Sequence, residues 1–181
     1  MKKVFLHLAE GFEEVEALAA ADILRRGGID TVLVSVTGNK TVKGGHDIKV
    51  EADALFEEVD YGEADMLVLP GGGLGTQNLK AHQALSEKLL EFNSQKKWLA
   101  AICAAPSVLG RLGLLKGKTA VCYPGVEEEL EGAVIGTGPV EVSEHIITSR
   151  GVGTALEFGL KLVEVLSGSE KALSVRKSIL A

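Results

Sequence analysis

Leu99-Ala-Ala-Ile-Cys-Ala-Ala-Pro106 carries the chain from a buried strand to the start of a helix, and the bend falls on a cysteine. A short unbroken apolar run fits a strand covered on both faces, as in a parallel sheet. Pro106 fits the first turn of a helix, where its missing N–H costs little. A thiol at that bend meets the positive end of the helix, which predicts a pKa lowered from ~8.5 into the range of about 3.5–7.5. The geometry resembles the nucleophile elbow of hydrolases, and Ala104 and Ala105 leave room for it. Position alone leaves a second reading equally open, because free cysteines at apolar strand ends are commonly structural.

Outward from this stretch, strands and helices alternate. Residues 3–8, Thr31–Val36, Asp65–Leu69 and Trp98–Ile102 read as strands, and Thr119–Cys122 as another. Glu13–Arg26 has helical apolar spacing and ends at Gly27-Gly28. Ala84–Phe92, Ala105–Leu112, Ala155–Leu166 and Lys171–Leu180 read as further helices, and Pro70–Gly75 as a loop. Short strands are expected within Thr41–Val50, broken at Gly44-Gly45, and late ones at Val140–Val142 and Ile146–Thr148. The expectation is one α/β domain over residues 1–181, a flavodoxin-like doubly wound, mostly parallel sheet with helices on both faces.

Composition agrees with a folded core. The chain has 181 residues, 46% hydrophobic and 24% charged, which disfavours disorder. Net charge is −6 with no basic cluster, so no direct nucleic-acid site is expected. Met1–Glu10 reads as a first strand and not as a signal peptide. No apolar run reaches the ~18–20 residues of a membrane span, and the expectation is a soluble, cytoplasmic protein. Cys103 and Cys122 are too few for a disulfide framework. No Cys/His/Asp spacing predicts a metal site, and no cofactor motif is present.

In doubly wound sheets ligands bind beyond the carboxyl ends of the strands. Three loops qualify: Glu10-Gly-Phe-Glu-Glu-Val-Glu16, Pro70–Gly75 and Ile102-Cys-Ala104. Glu16 is the expected partner of Cys103, with Glu13 one turn earlier on roughly the same face. Beside a thiolate a carboxyl tends to keep its proton, so it can donate to sulfur and then serve as acid or base. An acidic first turn favoured by the helix dipole explains Glu13 and Glu14 as readily. The N–H groups of Gly72, Gly73 and Ala104 are candidate oxyanion donors, although a glycine run is also simply a flexible turn. Of the histidines, His7 reads as packed and His82 and His145 as surface or turn residues, which leaves His46 near the site.

Five stretches in order resemble the ThiJ/PfpI superfamily, in the branch of the parkinsonism-associated protein deglycase and its bacterial relatives. They are Leu8-Ala-Glu-Gly-Phe-Glu-Glu-Val-Glu16, Leu24-Arg-Arg-Gly-Gly-Ile29, Val68-Leu-Pro-Gly-Gly72 with Leu74-Gly75 and Gln77-Asn-Leu79, Ala100–Pro106, and Thr148-Ser-Arg-Gly-Val-Gly-Thr154. The resemblance implies a homodimer and a reactive Cys103 hydrogen-bonded to a protonated Glu16, with Gly72 and Ala104 as backbone donors. It places Arg26 and His46 where relatives often carry arginines near the interface and the site. Many relatives have a histidine where this chain has Tyr123, before Pro124. Without a Cys–His pair, cysteine protease or amidase activity is disfavoured.

The resemblance implies cofactor-free chemistry on small reactive aldehydes or glycated adducts, of the glyoxalase or deglycase kind that turns methylglyoxal into lactate. The alternative is an oxidative-stress sensor or redox-regulated chaperone acting through Cys103 oxidation, with Cys122 a bystander. No residue supports thiamine-precursor biosynthesis.

Overall fold

Alternation along β1 (Lys3–Leu8) sends Val4, Leu6 and Leu8 to one face of the sheet and Phe5 to the other. The same split recurs in β6 (Met66–Leu69) and β7 (Trp98–Ile102), whose residues are almost all fully buried. Two apolar faces require two covering layers. The computed structural model, which describes residues 1–181, has both.

The sheet is completed by β2 (Asp30–Ser35), β5 (Ala54–Leu55), β10 (Val140–Ser143) and β11 (Ile146–Ser149), in the order β10-β11-β7-β6-β1-β2-β5. Every pairing in it is parallel except β10 with β11. Helices α1 (Glu14–Arg26), α5 (Ala155–Ser167) and α6 (Ser169–Ser178) bury one face. Helices α2 (Gly73–Ala81), α3 (Gln83–Ser94) and α4 (Pro106–Arg111) bury the other. Fully burying each Leu or Phe of these layers contributes about 1.5–3 kcal/mol. The flavodoxin-like α/β expectation holds.

Two local expectations do not. Thr119–Cys122 is not a strand of the main sheet. Only Thr119–Ala120 is extended (β8), paired in a separate ladder with β9 (Val134–Ile135), while the Val121 N–H donates to Thr148 Oγ1. Pro70–Gly75 is a loop only as far as Gly72, because α2 begins at Gly73. Glycine density hides this helix from propensity. It forms because Gly75 lets it close on Phe12: a Cβ at Gly75 would lie 2.7 Å from the Phe12 Cα. The hairpin of β3 (Thr41–Lys43) and β4 (Lys49–Glu51) matches the broken strands expected there. No helix is long and apolar enough to cross a membrane.

Candidate active site

Cys103 leaves β7 with φ +66°, in the left-handed region that a side chain normally avoids. Neighbouring backbone over-determines that bend. The Cys103 N–H donates to Ser149 O at 3.0 Å, and the Tyr123 N–H donates to Cys103 O at 2.8 Å. Strain held this way is common at functional sites. It turns a half-buried thiol toward the carboxyl ends of the strands.

Glu16 reaches the same point from α1. Glu13 is the N-cap of that helix, and its Oε2 accepts the Glu16 N–H at 2.7 Å. Glu16 is fully buried, and its Oε2 accepts the Gly71 N–H at 2.9 Å. Its carboxyl faces the Cys103 thiol, and its buried Oε1 takes no hydrogen bond. The third loop closes the site through Gly71. A Cβ there would lie 2.5 Å from the Cys103 Cβ and 2.7 Å from Glu16 Oε2, so only glycine fits.

Burial raises the Glu16 carboxyl to about 7, against the hydrogen bonds that favour its charge. Burial, then the adjacent Glu16, raises the Cys103 thiol to about 12. The expectation of an acidified thiol counted the helix end alone. Helix α4 is a six-residue turn and half, and desolvation and a neighbouring carboxylate oppose its favourable end. Between these limits the pair holds one proton and one negative charge. A thiolate exists here when that proton sits on Glu16. The N–H groups of Gly72 and Ala104 face the sulfur and favour its charged form. Gly73 opens α2 instead.

Beside Gly72 lies a groove of about 460 Å³ whose walls include Glu10, Glu13, Lys43, His46 and Asp47. Cys103 does not line it; Gly72 is the shared wall. Glu14, which the sequence assigns to the helix dipole, is buried there. Its Oε1 accepts the His46 N–H at 2.7 Å, and its Oε2 lies 2.9 Å from His46 Nδ1. Burial would raise Glu14, but these His46 hydrogen bonds hold it below its ordinary value. No sequence signal marked it, since the partner lies 32 positions away in the hairpin turn.

Tyr123 stands on the other side, half exposed, with its ring 3.5 Å from a Cβ built at Gly151, itself 3.8 Å from Glu16 Oε1. It borders the pair but no histidine takes its place. Arg26 is not brought to this site within the chain. It sits at the last turn of α1, ion-paired with Asp22 and exposed.

A family model described as the DJ-1/PfpI family matches residues 2–165. The chain is 40% identical over 176 residues to "Protein DJ-1 homolog B" of Arabidopsis thaliana, covering 96% of this chain but 40% of that protein. The chain thus spans less than half the length of that relative. It is 33% identical over 189 residues to "Glutathione-independent glyoxalase DJ-1" of Schizosaccharomyces pombe, covering 99% of this chain and 98% of that one. The solved structure "Toxoplasma gondii DJ-1, oxidized" superposes with a TM-score of 0.96 at 38% identity, over 99% of this chain and 98% of the other.

Proposed function

The chain belongs to the DJ-1/PfpI family, and from that premise we propose that it is a cofactor-free reactive-cysteine protein that turns methylglyoxal and related small carbonyls into hydroxy acids. The observation that carries this reading is the fully buried Glu16 carboxyl set against Cys103 at Gly71.

The Cys103 thiolate adds to the aldehyde carbon, and the oxyanion takes a proton to give a hemithioacetal. The Gly72 and Ala104 N–H groups, which face the sulfur, stand beside the carbon it attacks and steady the developing oxyanion. Glu16, now a carboxylate, removes the hydrogen from that carbon, and the enediol is protonated at the neighbouring carbon. The product is a lactoyl thioester, formed without oxidant or reductant. Water cleaves it to lactate and the free thiol. The positions of His46 and Tyr123 supply no imidazole against the sulfur, so hydrolysis of the Cys–His type is not favoured.

Purified protein given methylglyoxal without glutathione is expected to form lactate, and alkylation of Cys103 is expected to stop it. No lactate, or lactate that survives alkylation, overturns the proposal. The oxidized state named for the Toxoplasma gondii relative favours a second reading, a peroxide sensor. It gains if lactate is absent while peroxide adds two oxygens to Cys103 by intact mass.

The expected homodimer has a candidate face. Val15 and Leu18 project from α1, Leu156 from α5 and Ile48 from the β3–β4 hairpin, all exposed. Exposed apolar groups on adjoining elements mark interaction surfaces. Light scattering should give twice the 19.0 kDa chain mass, shifted toward one chain by Leu18→Glu. A monomeric parent protein would refute this.

A further inference from the structure

We propose that Glu13, Glu14 and His46 bind one divalent transition-metal ion of the zinc type at the mouth of the groove beside Gly72. One ligand atom from each lies within 4.8 Å of the others. His46 Nδ1 is 2.9 Å from Glu14 Oε2 and 3.8 Å from Glu13 Oε1. Ligands held ~2.0–2.2 Å from one ion stand about 3.4 Å apart in a tetrahedral set. The observed spacings bracket that value, so small side-chain shifts suffice.

Two of the three ligands are already positioned. Glu13 and Glu14 are 8% and 3% exposed. Glu13 spends Oε2 on capping α1, while its Oε1 takes no hydrogen bond and faces the imidazole. That oxygen, on a side chain 11% exposed, makes only the long 3.8 Å ion pair to His46 and takes no hydrogen bond, so it can turn to an ion. His46 is the exposed member, with a side chain 73% exposed on the hairpin turn. The groove leaves room for water or a small anion in a fourth position.

Charge points the same way. Lys43 is ion-paired with Asp47, Glu10 and Glu13 stand on the groove wall, and Glu14 lies just behind it against His46. The N-terminus of α1 disfavours a cation, but the two carboxylates stand between it and the ion. One imidazole nitrogen with two carboxylate oxygens fits zinc or cobalt better than magnesium or calcium, which prefer all-oxygen sets. On binding, the ion takes the Nδ1 lone pair; the Nδ1 proton leaves to solvent and Nε2 keeps its own.

The test uses the full chain as Cys103→Ser, so that the thiolate cannot supply a competing site. Cobalt and zinc titrations, followed by visible absorption and calorimetry, should give one ion per chain. His46→Ala, checked for native folding by circular dichroism, should weaken binding by ~10–100-fold or more, and Glu13→Gln should weaken it too. Glu10→Gln should change it less than about twofold, since Glu10 is no ligand here. Binding below half an equivalent in Cys103→Ser, or binding that His46→Ala leaves unchanged, overturns the proposal. The site excludes Cys103, so its failure leaves the carbonyl reading untouched.

Discussion

Glu16→Gln should lower lactate formation from methylglyoxal by about 10²–10⁴-fold, the ordinary worth of a positioned acid–base group, while leaving Cys103 open to alkylation. Glutamine keeps the shape of the side chain. Its amide oxygen still accepts the Gly71 N–H, as Glu16 Oε2 does at 2.9 Å, and its NH₂ still donates toward sulfur. What it lacks is a proton that can leave and return. Glu16 is fully buried beside the thiol, with burial holding its carboxyl at about 7. Rates of lactate formation and of iodoacetamide labelling, measured on the same protein, separate the two roles. Turnover within tenfold of the parent protein would remove Glu16 from the chemistry.

Acidification should cost about 3 kcal/mol of folding stability through His7 alone. His7 is wholly buried. With the proton on Nδ1, the ring donates to Val68 O at 3.3 Å and its Nε2 accepts the Tyr61 hydroxyl at 2.9 Å. Both needs of a neutral imidazole are thus met, and burial lowers the group from 6.5 to about 4. The sign follows. Above pH 6.5 the ring is neutral in both states and the stability is fully present. As pH falls from 6.5 toward 4 the unfolded chain binds the proton first, and stability is lost through that window. Glu16 acts oppositely, because its folded value near 7 lies above the ordinary 4.5, so acidification from 7 to 4.5 relieves a cost there. The comparison that isolates His7 is urea unfolding of the parent and of His7→Gln across pH 7 to 4. Parallel loss in both proteins would defeat the prediction.

Much of this was legible in the chain itself. Apolar runs such as Asp65–Leu69 and Trp98–Ile102 announce strands buried on both faces, and the periodic positions of Glu13–Arg26 announce a helix, because backbone geometry repeats at 2.0 and 3.6 residues. Helix α2 was hidden because its stability comes from the fit of Gly75 against Phe12 and not from propensity. The extent of β8 was hidden because Val121 spends its N–H on the Thr148 hydroxyl, outside any ladder.

The sequence by itself determined the α/β class, the elbow at Cys103 and the choice of Glu16 as its partner. Each of these rests on local pattern or on short stretches in fixed order. Only the tertiary structure set what acts on the Cys103 thiol. A helix end visible in the sequence lowers a thiol's pKa, but burial and a carboxylate folded against it from another element push it up. It likewise set Glu13 and Glu14 against His46, which a chain separation of 32 residues conceals. Local pattern fixes conformation; desolvation and charge proximity depend on distances in space, and those exist once the loops have met.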